Sequence, residues 1–522
     1  MADPFYITTA INYPNGRPHI GHAYEGIATD VMARFMRARG RDVRFITGTD
    51  EHGLKMDQTA RKAGRPTREF ADEMSGYFRE MCRELDIEYD AFVRTTEERH
   101  HSASQALWRR MEEAGDLYLD RYEGWYSVRD EAFYDESELS EGEGGEKLSP
   151  QGTPVEWTTE ETWFFRLSKY QDRLLEHYAA NPDFIRPESR RNEVLRFVEG
   201  GLKDLSVSRT SFDWGVPVPD SEGHVMYVWV DALTTYMTGI GFPDVDGAEY
   251  SRFWPADIHM IGKDIVRFHT VYWPAFLMSA DLPLPKQVFG HGFLLARGGE
   301  KMSKSAGNVI DPLELSAQFG VDNLRYFLLR EIAFGQDGSY SPEAIVTRCN
   351  AELANSFGNL AQRTLSMIFK NMDGILEEFS PSGDDKTLLT KVQTACREEL
   401  PAEFEALAFS QGIEAWMKAV WACNQYVDEQ APWALKKTDP ERMKAVLLTL
   451  FIAIRDLAIA IQPVIPTKAA AVLDQLGVSA DARGFADLAD EGWFTRLAAG
   501  GHRIDKPSPV FPRLELAEEE GA

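Results

Sequence analysis

The chain has 522 residues, of which 43% are hydrophobic and 27% charged, ordinary globular values for two to four domains with sizeable cores. Acids outnumber bases, 83 against 56, giving a formal net charge of −27, which excludes bulk nucleic-acid binding through a basic surface. Met1-Ala2-Asp3-Pro4 lacks the basic and apolar regions of a secretory leader, the longest apolar stretch, Ala445 to Ile454, is too short for a bilayer, and Cys82, Cys349, Cys396 and Cys423 are scattered with no CxxC, so a cytoplasmic protein with reduced thiols is expected.

In chain order, Tyr6 to Ile11 predicts a buried strand, Asn12 to Pro18 a turn, and the recurrence of Ile20, Tyr24, Ile27, Val31 and Phe35 a helix, with Pro18 at its start and Gly40 at its end. His19 and His22 stand three apart, on one face of the first turn. The N–H groups and positive dipole end there favour anions, and Gly21 between them removes a side chain, so a flat base or a phosphate can approach the backbone. Val43 to Asp50 predicts a second buried strand. Polar groups at the carboxyl end of a parallel strand line a ligand crevice, so Asp50 either meets an α-ammonium group or caps the next helix. No GxGxxG is present, which leaves dinucleotide chemistry unsupported. Glu69 to Glu113 predicts helix throughout, with Phe70, Met74, Tyr77, Phe78 and Met81 on one side. Gly124 to Pro154, rich in Gly, Ser, Glu and Tyr, predicts short strands and loops inserted between two halves of a sheet domain, with a solvated acidic run from Glu136 to Glu146. A basic amphipathic helix, Ser189 to Val198, follows, and Leu205 to Gly215 leads back to the sheet.

Val225 to Tyr236 predicts a strand and a helix start on which Trp229, Ala232, Leu233 and Tyr236 line one wall, of a pocket or simply of a core. Ile258 to Trp273 repeats the arrangement: a strand, the Gly262-Lys263-Asp264 turn, and a helix with Ile265, His269 and Trp273 on one face. Phe289 to Leu295 predicts a last strand, on which His291-Gly292 can face a base. It feeds a glycine-flanked loop, Lys301-Met302-Ser303-Lys304-Ser305, whose two ammonium groups can neutralise a polyphosphate. Asp311 to Arg330 predicts helices packed on the sheet. Ser341-Pro342-Glu343 is a helix start, and from there to about Leu473 the pattern is nearly all helical, with Leu353, Phe357, Leu360, Thr364, Met367 and Ile368 as one stripe of an antiparallel bundle. Ser508 to Leu516 either adds a strand or lies back on the body.

His19-Ile20-Gly21-His22 and Lys301 to Ser305, in this order and context, resemble the two signature motifs of the class I aminoacyl-tRNA synthetases. Over nearly its whole length the chain is similar, more narrowly, to the methionyl-tRNA synthetase family. The resemblance implies an α/β Rossmann-type parallel-sheet catalytic domain with a connective insertion, followed by an all-α anticodon-binding bundle. The expected boundaries are 1–114 and 225–296 for the two catalytic halves, 115–224 for the insertion, 297–340 for the lysine loop and connector, 341–507 for the bundle and 508–522 for a tail. The implied reaction joins L-methionine to tRNA(Met), initiator and elongator, through methionyl-adenylate. His19, His22, Lys301 and Lys304 are the catalytic group, and Gly21, Gly262, Asp264, His291 and Gly292 join them around ATP and its Mg2+. Ala10, Ile11, Tyr13, Asp50, Trp229, Ala232, Leu233, Tyr236, Ile265, His269 and Trp273 form the methionine pocket. Asn359, Arg363, Pro432 and Trp433 read the anticodon, where an exposed Trp suits base stacking and Arg and Asn suit splayed base edges; on its own, Trp433 after Pro432 reads equally as a corner anchor.

Similar synthetases often carry cysteine zinc ligands in the insertion. Here Ser127 and Asp130 stand where a first CxxC pair would fall, so no structural zinc is expected. Arg209, in the stretch that returns to the reaction centre, either contacts phosphate or pairs with an acid. The acidic net charge is reconciled with a tRNA partner by local patches, such as Arg186, Arg190, Arg191 and Arg196, or Lys301 and Lys304. No further tRNA-binding, dimerising domain follows the bundle in this sequence, so a monomer is expected. The competing readings are a class I synthetase for leucine or cysteine, which the pocket set and the lack of a large editing insertion weigh against; a catalytically inactive tRNA-binding paralogue, which the intact motifs weigh against; and a small nucleotidyltransferase, which would lack the bundle.

Overall fold

The fold of the chain, taken from a computed structural model, is described for residues 2–127, 132–142, 145–295 and 309–516. Asp130, Lys301 and Lys304 lie outside the described residues.

Six parallel strands build the central sheet: β1 (Pro4–Thr9), β2 (Asp42–Thr49), β3 (Ala91–Arg94), β4 (Ile185–Arg186), β5 (Ile258–Gly262) and β6 (Val288–His291), in the order β3-β2-β1-β5-β6-β4. β1 pairs with β2 on one side and β5 on the other. The strand order therefore reverses beside β1, the switch point at which open parallel sheets leave a crevice outside their carboxyl ends. β1 and β2 read as buried runs in the sequence because both faces of a parallel sheet are covered. Along one face lies α1 (Ile20–Ala38), whose Ile27 and Phe35 share a continuous core with Leu329, Phe404 and Ile454 of the helices beyond. The other face packs on α2 (Glu98–Glu113) and α3 (Val228–Thr238), with Ile46, Leu107, Phe165, Tyr236 and Trp273 in one cluster.

Two expectations need correction. The helix foreseen from Glu69 to Glu113 is interrupted: helix Thr67–Glu84 ends, β3 forms at the sheet edge, and α2 begins at Glu98. Four residues, Ala-Phe-Val-Arg, are too few to show a period of two between helical neighbours. The last strand is also divided, into β6 and a two-residue strand, Leu294–Leu295, that pairs with Gly338–Ser339.

The insertion is built on a long antiparallel pair, Leu117–Ser127 with Glu156–Phe165. β4, from within the span expected for the insertion, completes the central sheet at its far edge. After the connector helices Pro312–Phe319 and Val321–Glu331 the chain is a helical bundle, with long members Phe409–Gln430 and Pro440–Ile461. Its first helix starts as foreseen: Pro342 is in the first turn, and the Ser341 hydroxyl accepts from the Ala344 N–H at 3.1 Å. The C-terminal stretch adds no strand among the described residues. It lies back on the body, where Phe511 packs on Phe357 and the Leu514 backbone exchanges hydrogen bonds of 2.8 and 2.9 Å with the Asn350 side chain.

Candidate active site

The tip of α1 is closed by its own histidines. His19 is the N-cap, and its Nδ1 accepts from the Gly21 N–H at 3.1 Å, while the His19 N–H donates to Nδ1 of His22 at 3.0 Å. The two rings stack with centroids 3.7 Å apart. Because each Nδ1 is an acceptor, a neutral ring carries its proton on Nε2 and is a donor there. A Cβ on Gly21 would sit 3.0 Å from the His19 ring, so the glycine makes room for this cap. The next N–H, that of Ile20, donates to the carbonyl of Ile310 at 3.0 Å.

A cavity of about 320 Å³ opens at the switch point. It is lined by Ala10, Ile11 and Tyr13 beyond β1, His19, Gly21 and His22 at the helix tip, Gly262 at the end of β5 with Asp264 and Ile265 after it, and His291 and Gly292 at the end of β6. Eleven positions foreseen for ATP or methionine thus meet at one opening. Leu294 also lines it, so the chain before residue 296 and the chain after residue 308 both reach this tip, one through Leu294 and the other through Ile310.

The sequence reading missed Glu25, a cavity residue one turn beyond His22; the spacing of three was the available signal. Glu25 Oε1 accepts from the Ala10 N–H at 3.0 Å, and Oε2 faces His291 Nε2 at 2.8 Å. Burial alone would lower the His291 pKa, but hydrogen bonding to Glu25 and its negative charge outweigh that, and the pKa is raised. Also missed was a joint behind this wall. Both Asp337 oxygens accept from Lys263 Nζ at 2.7 Å, and one also takes the Phe293 N–H at 2.8 Å. A side chain on Gly292 would collide with the backbone of Gln336, which explains a glycine where two strand ends meet the connector.

Of the methionine candidates, Ala10, Ile11, Tyr13 and Ile265 line the cavity, while the aromatic ones form a packed cluster behind it. Trp229 stacks on Phe268 at 3.9 Å with its edge toward His269, and Tyr236 packs against His259, His269 and Trp273. Ala232, Leu233, Tyr236, His269 and Trp273 are all buried. His269 Nδ1 donates to the Ile265 carbonyl at 2.9 Å, so Nε2 is the acceptor for the Tyr236 hydroxyl at 2.6 Å. Burial holds this imidazole neutral by pushing its pKa to about 4. The link through Ile265 joins the cluster to the cavity. Asp50 lies at the end of β2, its N–H bonded to the Asn12 carbonyl at 2.8 Å beside Tyr13.

Arg209 does not line this cavity. It borders a second one of about 230 Å³ with Phe197, Tyr227, Arg267 and Tyr272, and its guanidinium donates to Ser206 Oγ and the Ser208 carbonyl at 2.9 and 2.7 Å. The same stretch does return to the centre at Trp214, whose indole donates to the Glu51 carbonyl at 2.6 Å. In the insertion, Ser127, Ser149 and Thr153 form a buried hydroxyl cluster with contacts of 2.6 and 2.8 Å. All four cysteines are buried free thiols. In the bundle, Asn359 and Arg363 are exposed one turn apart, and the Arg363 guanidinium lies 5.5 Å from the Trp433 ring centroid. Pro432, in the first turn of its helix, is buried, and Trp433 is 49% exposed.

A Rossmann-type sheet with a capped helix tip and polar strand ends around one cavity, joined to a helical bundle, is the architecture of a class I aminoacyl-tRNA synthetase. The family described as "tRNA synthetases class I (M)" matches residues 5–365, and the "Anticodon binding domain of methionyl tRNA ligase" matches residues 378–521. The methionine–tRNA ligase of Rhizobium meliloti is 57% identical over 519 residues, covering 99% of each chain, and that of Mycobacterium bovis is 54% identical over 516 residues, covering 98% of each. Among solved structures, Mycobacterium tuberculosis methionyl-tRNA synthetase bound by methionyl-adenylate superposes with a TM-score of 0.94 at 53% identity, covering 98% of this chain and 100% of that one; its free form gives 0.89 at 50% identity, covering 99% of each. The chain belongs to the methionyl-tRNA synthetase family. No helix among the described residues is long and apolar enough to cross a membrane.

Proposed function

We infer that this chain is a methionine–tRNA ligase, an ATP-dependent, AMP-forming enzyme of translation initiation and elongation. The methionine carboxylate attacks the α-phosphate of ATP, giving methionyl-adenylate and pyrophosphate, and the 3′ end of tRNA(Met), initiator or elongator, then takes the methionyl group. The observation that carries this is the cavity shared by the α1 tip, the ends of β1, β5 and β6, and Leu294 on the near side of the lysine motif, with Ile310 on its far side bonded to the same helix tip.

In this reading His19 and His22 donate from Nε2 to the phosphates at the positive end of α1. Lys301 and Lys304 clamp the leaving pyrophosphate, and Gly262, Asp264, His291 and Gly292 surround the nucleoside. Catalysis is positioning and charge stabilisation, with no covalent enzyme intermediate. Mg2+ accompanies ATP and shares its phosphate charge. Asp50 meets the α-ammonium group. Ala10, Ile11, Tyr13, Ile265 and the cluster of Trp229, Ala232, Leu233, Tyr236, His269 and Trp273 receive the side chain, where sulfur gains about 0.3–1.5 kcal/mol per aromatic contact. Asn359, Arg363, Pro432 and Trp433 read the anticodon. The protein works as a cytoplasmic monomer without structural zinc and with the domain boundaries expected above, except that Ile185–Arg186, within the span expected for the insertion, belongs to the catalytic sheet.

The test is ATP–pyrophosphate exchange across amino acids, with methionine expected as the preferred substrate. His269→Ala and Trp229→Ala should raise the methionine KM at least tenfold more than the ATP KM, on the order of the 1–3 kcal/mol an apolar pocket contributes. Equal effects on both would remove them from the pocket. Lys304→Ala should cut adenylate formation by orders of magnitude with methionine binding unchanged, and near-normal turnover would refute its role.

A further inference from the structure

The aspartate at position 231, within α3, is fully buried, and each of its carboxylate oxygens meets a different histidine. Oδ2 lies 2.6 Å from Nδ1 of His52, in the loop after β2, and Oδ1 lies 2.6 Å from Nε2 of His100, on α2. His100 reaches α3 a second time, with Nδ1 2.9 Å from Thr238 Oγ1. The carboxylate is held ionised: burial works against the charge, and the two histidines outweigh it. A buried carboxylate is costly unless fully paired, so a charge kept here calls for a use beyond packing, which an apolar residue would serve as well.

Its position supplies that use. Asp231 stands between Trp229 and Ala232 on the helix that carries Leu233 and Tyr236. His52 follows Asp50 by two residues, and Glu51 between them is fixed by Arg94, Thr49 and Thr96 at 2.6–2.9 Å. The element carrying the amine anchor and the element carrying the side-chain wall are therefore joined directly through one carboxylate.

We propose that Asp231, acting through His52, is a positioning residue that sets the distance between the α-amino anchor and the side-chain wall, and so selects the length of the amino acid. The proposal rests on the assignment of Asp50 to the amine and α3 to the side chain made above. Neither residue touches the reacting atoms. If the link is lost, the loop and the helix move independently, and an amino acid one methylene longer fits almost as well. A single methylene in an apolar pocket is worth roughly 10- to 200-fold in discrimination.

The experiment compares methionine with ethionine, its homologue longer by one methylene, in pyrophosphate exchange. Asp231→Asn and His52→Ala should each raise the methionine KM about tenfold, leave the ATP KM within about twofold, and lower the methionine-to-ethionine ratio of kcat/KM about tenfold. His52→Asn, whose Nδ2 donates from the place of Nδ1, should recover the ratio. A merely structural role would lower the melting temperature and leave the ratio unmoved. If Asp231→Asn does not fold, His52→Ala and His52→Asn decide. An unchanged ratio in folded His52→Ala, or an equal rise in both KM values, overturns the proposal. Asp50→Asn and Trp229→Ala run beside them: if these leave methionine affinity intact, the pocket assignment itself has failed, whereas if they weaken it while the ratio holds in His52→Ala, only the proposed spacing role has failed.

Discussion

His291 carries a proton inventory that distances alone can read. Its Nε2 faces the Glu25 carboxylate and its Nδ1 faces the Gly292 carbonyl, each at 2.8 Å. With the carbonyl and an ionised Glu25 carboxylate both accepting, both ring nitrogens are donors, an arrangement that favours the imidazolium. The raised pKa has the same direction: burial lowers it, and the hydrogen bond and charge of Glu25 more than reverse that. A histidine whose pKa is raised on folding contributes stability that is fully present below its unfolded value of about 6.5 and is lost as pH rises through the folded value. A proton-NMR titration of His291 should give a midpoint above 6.5, and Glu25→Gln should lower it. A midpoint indifferent to Glu25 would break the pair. The pair also bears on the cavity, because His291 and Glu25 both line it.

At the scale of elements, what was legible depended on length and on partners. β1 and β2 present apolar runs long enough to read as buried strands and α1 enough residues for its helical period to show, and their order with the two motifs was readable. β3 and β4, of four and two residues, are strands only because a neighbour offers a ladder, and no local pattern encodes that. The candidate site divides the same way. Residues at strand ends and the helix tip were legible because turn chemistry marks them, whereas Glu25 and Asp337 matter through partners hundreds of positions or an entire motif away.

Asp385 shows how such partners fix helices. It closes a capping box with Ser382 at the start of helix Gly383–Thr394, takes both arms of Arg442 at 2.8 Å from helix Pro440–Ile461, and accepts from the Tyr426 hydroxyl of helix Phe409–Gln430. Burial would raise its pKa, but the hydrogen bonds from Arg442, Tyr426 and Ser382 together outweigh that and hold it at about 2. A depressed carboxylate stabilises above its unfolded pKa and stops doing so as pH falls through the folded value. About 2 kcal/mol should therefore be present at neutral pH and disappear between about pH 4 and pH 2. Denaturant unfolding of Asp385→Asn should be about 2 kcal/mol less stable than wild type at pH 7 and converge with it near pH 2; a constant gap across that range would remove the ion pair as the cause.

At the scale of the whole molecule, catalysis and anticodon reading belong to different bodies, and a tRNA must touch both. Arg325, on the connector helix Val321–Glu331, is fully buried where those bodies meet. Its nitrogens bond Asp30 of α1 at 2.5 Å, the carbonyls of Leu85 and Asp86 at 3.2 and 2.9 Å, and the carbonyls of Pro463 and Val464, at the turn between two bundle helices, at 3.0 and 3.1 Å. A guanidinium has five N–H donors in a rigid fork, and here five acceptors receive them. Lysine has three donors from one point, so Arg325→Lys cannot replace the five bonds that tie these three segments together. Removing one partner of a buried pair costs about 3–5 kcal/mol, and the lower end is expected, because Arg34 Nε and the Glu88 N–H also satisfy Asp30, each at 2.8 Å. The two activities should then separate. Methionine-dependent pyrophosphate exchange needs only the cavity and should stay within about threefold of wild type. Aminoacylation needs the bundle held at the right angle to the sheet, and a small rotation there becomes a displacement of several ångströms at the far end of a bound tRNA, so its kcat/KM should fall roughly tenfold, about 1.4 kcal/mol. Equal losses in both assays would mean that Arg325 supports α1 alone and that the angle between the bodies is set elsewhere.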